Sequence, residues 1–351
     1  MVDFETVFGC RPAVAAEAPG RVNLLGEYTD LNEGFVLPTA TRHATRVEIA
    51  RSPDDRFQYR AVRLDEHVTQ SDGAPLPAGF ARYVHGCVQV LRERGHRVPP
   101  VLVRIDSDLP IGSGLSSSAA LSVATLRALR ALLALDLDDL ELARLAQRAE
   151  TEHAGVRTGL LDQLACSFCA PGQMLLIDTR TLERRALRLP AGAELVVLHT
   201  GVTRELTATA YNARRAECEA AAQALGVAAL RDVIDVDRAA ALPPILARRA
   251  RHVVTENRRV LDALHADASA FGTLMNASHA SLRDDFEVST TELDTLVRAL
   301  QVLPDVLGAR LTGAGFGGAC IALVRTGRSR DVVERALAEY AAAGFTGHRV
   351  A

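Results

Sequence analysis

The run Leu109–Leu121, LPIGSGLSSSAAL, joins a glycine-rich turn directly to the first turn of an apolar helix, and this junction constrains the fold more than any other stretch. Gly112 and Gly114 can take positive backbone dihedrals that admit a ligand close to the main chain. Ser113 and Leu115 complete the turn, and Ser116, Ser117 and Ser118 set hydroxyls beside helix N–H groups that lack intrahelical partners. The helix dipole adds about half a positive charge at this end, so the turn suits a polyphosphate without any basic side chain. An N-capped helix after a glycine turn accounts for the same residues, and on this run alone both readings stand. The 40 residues counted as Lys or Arg are all arginine. A P-loop needs a lysine after its glycines and a protein kinase needs a strand lysine on the phosphates, so both are excluded.

A second run, Ala18–Ala40, APGRVNLLGEYTDLNEGFVLPTA, places Val22, Leu24 and Leu25 in a short buried strand that stops at Gly26. Glu27, Tyr28, Thr29, Asp30 and Asn32 then crowd into one loop before Phe35-Val36-Leu37 resumes. Carboxylates, a phenol and an amide between core strands suit a polyhydroxylated ligand, whose hydroxyls both donate and accept; an ordinary polar turn fits the same residues. A third run, Leu311–Arg325, matches Gly-x-Gly-x-x-Gly at Gly313, Gly315 and Gly318. Its glycines lead into the strand-like Cys320–Val324 rather than into a helix, which excludes a dinucleotide turn. A loop packed close to a ligand or a neighbouring turn, or a tight hairpin, remains.

Taken together and in this order, the three runs resemble those of the GHMP small-molecule kinases, and among these the galactokinases, over nearly the whole chain. Further stretches fit the same pattern: Glu150–Ala165, Thr207–Ala221, Arg251–Leu261 and Met275–Val297. The resemblance implies an α+β, two-lobed GHMP kinase fold, with a ribosomal S5 domain 2-like N-terminal lobe, a ferredoxin-like C-terminal lobe and the active site in the cleft. It implies ATP-dependent phosphorylation of the anomeric hydroxyl of galactose, with ATP and Mg2+ as cofactors. Asp162 takes the place of the family's catalytic aspartate and accepts the sugar hydroxyl proton. Arg21 takes the place of its arginine partner, whose permanent charge also stabilises the transferring group. Ser118 and Glu150 match the metal ligands, a hydroxyl and a carboxylate being enough protein for a magnesium ion that keeps its waters. Gly112, Ser113, Gly114, Leu115, Ser116, Ser117 and Ser118 match the phosphate loop. Glu27, Tyr28, Asp30, Gly159 and Tyr211 match the sugar site.

The chain departs from its relatives inside that sugar site. Galactokinases usually read Gly-Glu-His-Thr-Asp-Tyr where this sequence reads Gly26-Glu27-Tyr28-Thr29-Asp30-Leu31, and Arg157 and Thr158 also differ from the commoner residues before Gly159. Tyr28 therefore keeps open a GHMP kinase for another sugar, such as N-acetylgalactosamine, arabinose or galacturonate. Leu31 alters packing. A non-catalytic sugar sensor on the same fold is the other alternative, but such relatives lose part of the Ser116–Ala120 run, which is complete here.

A net charge of −3 argues against a nucleic-acid surface. No apolar stretch suits a membrane span or a signal core, so the expectation is a cytoplasmic protein with no obligate protein partner. No Gly-x-Ser-x-Gly elbow or His-Glu-x-x-His pattern supports a hydrolase or a zincin. Cys166 and Cys169 form one Cys-x-x-Cys pair with no second pair nearby, which reads as free thiols rather than zinc. Periodicity predicts strands near 22–25, 46–49, 101–105, 174–177, 195–198 and 319–324. It predicts helices over 117–135, 137–152, 208–222, 244–265, 268–282 and 290–300. Leu189-Pro190-Ala191-Gly192 suggests a division into residues 1–187 and 188–351.

Overall fold

A computed structural model describes residues 2–75, 77–110, 114–155, 158–202 and 207–350. In chain order the elements are α1 (Phe4–Phe8), β1 (Val14–Asn23), β2 (Phe35–Val36), β3 (Pro38–Arg51), β4 (Arg56–Ala61), β5 (Glu66–Ser71), α2 (Phe80–Glu93) and β6 (Val101–Ser107). There follow α3 (Ser117–Leu133), α4 (Asp139–Arg148), α5 (Leu161–Phe168), β7 (Gln173–Asp178), β8 (Arg184–Arg188), β9 (Ala193–His199) and α6 (Thr207–Ala224). The chain closes with α7 (Pro244–Ala263), α8 (Ala268–Asp284), α9 (Thr291–Gln301), β10 (Val306–Thr312), β11 (Ala319–Arg325), α10 (Ser329–Ala342) and β12 (His348–Arg349).

Two compact units form. Unit 1 takes Met1–Arg21, Thr41–Leu109 and Ser116–Phe168; unit 2 takes Val22–Ala40, Pro110–Leu115 and Cys169–Ala351. The units therefore do not follow a single cut near residue 187. Val22–Ala40 is near in sequence to unit 1, but its contacts lie with the C-terminal stretch.

Most of a five-stranded sheet, ordered β1-β3-β6-β4-β5, belongs to unit 1. In it β3 pairs antiparallel with β6 and β4 with β5, whereas β4 runs parallel to β6, where Tyr59 lies opposite Val103. Val47, Ile49, Phe57, Tyr59 and Val103 alternate with less buried neighbours, the two-residue period of a sheet with one face covered. Helices α2, α4 and α5 all pack on α3. That helix is buried on nearly every side, which explains why its sequence is apolar all round instead of carrying a stripe. α4 starts at a capping box in which Asp138 accepts from the Glu141 N–H at 2.8 Å and Glu141 accepts from the Asp138 N–H at 3.2 Å.

Unit 2 is built on an antiparallel sheet ordered β10-β11-β9-β12, with a small sheet ordered β2-β7-β8 beside it in the same unit. Leu198, Phe286, Leu293, Leu296, Leu311 and Cys320 are among its core residues. α8 approaches β10 so closely that a Cβ on Gly308 would lie 2.1 Å from the Gly272 carbonyl oxygen, so both positions must be glycine. The Gly313–Gly318 run connects β10 to β11, which pair through Thr312 and Ala319. It is a hairpin connection, the alternative to the ligand-side loop that the sequence favours. The predicted 137–152 helix ends as an α-helix at Arg148 and continues as a π-helical turn over Ala149–His153. The expected 22–25 strand ends at Asn23, although Leu24 and Leu25 still exchange backbone hydrogen bonds with Leu37 at 3.0 Å.

Candidate active site

Arg21 and Asp162 meet within unit 1 although they lie 141 residues apart. Arg21 is near the end of β1 and Asp162 in the first turn of α5, so a strand and a helix start carry the pair. The Arg21 Nε donates to Asp162 Oδ1 at 2.8 Å, and its Nη2 closes a second contact with the same oxygen. The Arg21 side chain is 6% exposed and the Asp162 side chain 27%. Arg21 is thus no surface charge, and the carboxylate it orients keeps a face toward solvent where an incoming hydroxyl can reach it.

The neighbouring pair, also in unit 1, is Ser118 and Glu150. Ser118 Oγ donates to Glu150 Oε2 at 3.0 Å from the first turn of α3. An exposed glutamate near the end of α4 would be unremarkable, but Glu150 lies on the π turn and is 3% exposed. A π turn adds a residue to the helical repeat and so rotates the side chains that follow, a device recurrent at functional sites. Gln163 Nε2 donates to the other carboxylate oxygen, Oε1, at 2.7 Å. Burial pushes the Glu150 carboxyl up to about 7, with the Asp162 charge adding to the shift, against hydrogen bonds from Gln163 and Ser118 and the more distant Arg21 charge. A buried carboxylate and a hydroxyl, both hard oxygens, held by neutral donors and short of nearby positive charge, fit a hydrated divalent cation.

At the start of α3, Ser116 takes a left-handed conformation, φ 58°, and makes no side-chain capping bond. Its Oγ is buried without a hydrogen-bond partner. The ordinary capping role is therefore not how this serine is used, and an oxygen ligand such as a phosphate would satisfy it. Ser117 and Ser118 occupy the first helical turn, and Gly114 has φ 82°. Gly112 and Ser113 lie outside the described residues, as does Arg157. Leu115 is buried and, with Gly114, belongs to unit 2. Gly159 is buried in unit 1.

Unit 2 holds Glu27, Tyr28, Asp30 and Tyr211. Glu27 is 2% exposed, and both its oxygens are engaged. Oε1 accepts from the Gly313 N–H at 2.6 Å and from Thr312 Oγ1 at 3.3 Å, while Oε2 accepts from Asn23 Nδ2 and faces Arg310 Nη2 at 3.1 Å. The carboxylate thus ties the second glycine-bounded loop to the third, 286 residues away. Tyr28 has φ 67°, uncommon for a bulky residue, and is 3% exposed. Its hydroxyl donates to the Ala314 carbonyl at 2.5 Å, and its ring lies 4.5 Å from Phe286 and 5.3 Å from Tyr211. Asp30 and Tyr211 are half-buried.

The clamp around this loop was not singled out from sequence. Glu256, on α7, accepts from the Gly26 N–H at 2.8 Å and from Ser278 Oγ at 2.7 Å, and it is bridged by Arg259 at 2.6 Å. Burial alone would raise its carboxyl, but Arg259, Arg310, His252 and the Gly26 N–H hold it at about 2. His252 contacts the Glu27 carbonyl at 3.1 Å, and burial lowers it to about 4. Gln163 was likewise missed, although it stands beside Asp162; its partner Glu150 lies 13 residues earlier, a spacing that no helical pattern marks. Among the described residues, one other ligand-like cluster occurs, the exposed Glu93 and Glu152 with His153. Arg148 bonds both glutamates, at 2.7 and 2.9 Å, and offsets part of their charge. No helix among the described residues is long and apolar enough to cross a membrane.

Three family models match along the chain: the galactokinase galactose-binding signature over residues 3–51, the GHMP kinases N terminal domain over 82–170 and the GHMP kinases C terminal domain over 260–343. A galactokinase of Roseiflexus sp. (strain RS-1) is 46% identical over 335 residues, covering 92% of this chain and 86% of that protein. A galactokinase of Mycobacterium tuberculosis (strain ATCC 25177 / H37Ra) is 46% identical over 344 residues, covering 95% and 94%. Among solved structures, Lactococcus lactis galactokinase complexed with galactose superposes with a TM-score of 0.91 at 32% identity, over 99% of this chain and 95% of that one. Methanococcus jannaschii mevalonate kinase, at 20% identity and TM-score 0.70 over 96% and 97% of the two chains, shares the fold.

Proposed function

Because the chain belongs to the galactokinase family of the GHMP kinases, we propose that it transfers the terminal phosphoryl group of ATP to the anomeric hydroxyl of galactose, giving galactose 1-phosphate and ADP. The observation that carries this reading is the buried Arg21 locked onto a partly exposed Asp162, with Ser118 and Glu150 in the same unit. As the C1 oxygen attacks the terminal phosphorus, the bond from phosphorus to the ADP oxygen breaks and the proton of the C1 hydroxyl passes to Asp162. Arg21 fixes the direction of the accepting oxygen and offsets charge on the transferring group.

Ser118 Oγ and Glu150 are the residues that would hold magnesium, which supplies charge neutralisation on the phosphates. The run Gly112–Ser118 would bind those phosphates, Ser116 through its unpartnered hydroxyl. For the sugar, Asp30, Gly159 and Tyr211 are proposed as direct hydrogen-bonding partners. Glu27 joins them with a carboxylate already aimed by Gly313, Asn23 and Arg310, which is preorganisation of a polar group before the ligand arrives. A reaction that consumes ATP is consistent with the cytoplasm, the location proposed for this chain.

Tyr28 favours one second reading, a kinase of this family for another aldose. Its phenol is spent on the Ala314 carbonyl and its ring on Phe286 and Tyr211, so it shapes the sugar site through packing. Incubation with ATP, Mg2+ and a panel of aldoses, with phosphorus NMR of the products, tests both. A C1 phosphate formed fastest from galactose is expected. Faster turnover of another aldose would select the second reading, and absence of sugar-dependent ADP release with every aldose would overturn both.

A further inference from the structure

We propose that Gln163 is a positioning residue for the divalent cation: its amide nitrogen holds Glu150 in the ligating orientation, and its carbonyl oxygen receives a hydrogen bond from a water of the hydrated ion. This rests on the reading of Ser118 and Glu150 as the magnesium pair.

Gln163 is fully buried, in the first turn of α5. Each oxygen of the Glu150 carboxylate has one neutral donor, Gln163 Nε2 at 2.7 Å on Oε1 and Ser118 Oγ at 3.0 Å on Oε2. The donors come from different helices, α5 and α3, so turning the carboxylate about its last torsion breaks both bonds. With Glu150 ionised, the state that ligates a cation, the amide can face only one way. With nitrogen and oxygen exchanged, a carbonyl would lie against a carboxylate, and neither group could donate.

That orientation has a second consequence. Gln163 Oε1 is left buried with no hydrogen-bond partner. A carbonyl in that condition marks the place of a donor that the side chains do not supply. Magnesium bound through one or two protein oxygens keeps several waters, and a metal-bound water is a strong donor. A glutamine that faces the ligating carboxylate with one end and the ion's water shell with the other meets both demands at once. Outer partners of this kind orient ligands and set metal affinity.

The chain position adds to this. Asp162 and Gln163 are consecutive, the first bonded to Arg21 and the second to Glu150. One helical turn therefore keeps the proton acceptor and the cation ligand in register.

The test uses the full chain saturated with ADP, with Mn2+ as the probe. Binding is read from the loss of the free-Mn2+ electron paramagnetic resonance signal for wild type, Gln163→Met and Glu150→Gln. Glu150→Gln is expected to abolish tight binding, and Gln163→Met, which keeps the length and removes both polar ends, to weaken it about tenfold or more. The Mg2+ concentration for half-maximal turnover should rise in parallel while KM for galactose stays within about twofold. A merely structural glutamine would lower the unfolding temperature and leave Mn2+ affinity within about twofold of wild type, which overturns the proposal. If Glu150→Gln binds Mn2+ like wild type, the magnesium pair itself is wrong and this inference falls with it. Should Gln163→Met not fold, Gln163→Asn, whose amide is one methylene short of Glu150, provides the same measurement with the same two outcomes.

Discussion

Two glutamates, Glu150 in unit 1 and Glu256 in unit 2, are buried to the same degree, yet one carboxyl is pushed up to about 7 and the other held at about 2. Burial acts on both in the same direction, so their surroundings make the difference. Glu256 has Arg259 at 2.6 Å, Arg310 at 3.8 Å and a backbone N–H at 2.8 Å. Glu150 has two uncharged donors and, as its nearest resolved charge, the carboxylate of Asp162. The first is finished as a protein interaction, and its function is to hold Gly26 and the loop that follows. The second is left short of positive charge, the condition in which a cation gains most by arriving.

The contrast predicts opposite consequences for loss of charge in the two units. Asp162→Asn should reduce kcat by about 10²–10⁴-fold while ADP affinity hardly changes. Initial rates together with ADP titration check this, and a rate within about twofold of wild type would remove Asp162 from the chemistry. Glu256→Gln should instead cost about 3 kcal/mol of stability, because it strips a partner from buried guanidinium groups, measurable by denaturant unfolding.

The pH dependence separates the two glutamates further. Glu256 ionises near 4.5 when unfolded and near 2 when folded, so its stabilisation is complete above pH 4.5 and disappears as pH falls toward 2. His252 works in the same direction, since the unfolded imidazole gains a proton near 6.5 and the folded one resists until about 4. Glu150 works the other way. Its folded carboxyl keeps its proton up to about 7, so the metal-free protein loses stability from this group as pH rises from 4.5 to 7. Glu150→Gln should therefore stabilise the chelator-treated protein by roughly 1–3 kcal/mol at neutral pH and flatten the pH 5–7 slope of its unfolding temperature. A slope unchanged by that substitution would erase the distinction between the units. The smallest effect is expected at Tyr28. Tyr28→His should alter the ratio of kcat/KM between galactose and a second aldose by about tenfold with KM for ATP unchanged, since one altered pocket contact is worth about 1–3 kcal/mol. A change confined to ATP would place Tyr28 elsewhere.

Much of unit 1 and unit 2 was legible locally. The strands over 46–49, 101–105 and 319–324 and the helices of unit 2 follow their periodicities, and the Gly313–Gly318 run excludes a dinucleotide turn by leading into a strand. The β4–β5 hairpin was passed over despite the alternation in Arg56–Ala61, as was α2, whose buried Ala81, Val84, Val88 and Leu91 recur at helical spacing. These were missed signals. Glu150 is a different case: a glutamate near a helix end is ordinarily solvated, and its burial on the π turn is a matter of what packs around it.

By itself the sequence determined where the chain turns, which residue types line each turn, that no lysine could serve a phosphate, and which family pattern the three glycine-bounded runs spell out. Those properties depend on backbone sterics and on neighbours a few residues away. The tertiary structure decided which charges are satisfied and which are left open, because partners such as Ser118 and Glu150, 32 residues apart, or Glu27 and Gly313, 286 apart, meet only when the chain has folded. A carboxylate's character is set by the dielectric and the charges around it, and those belong to the packed molecule rather than to any segment of it.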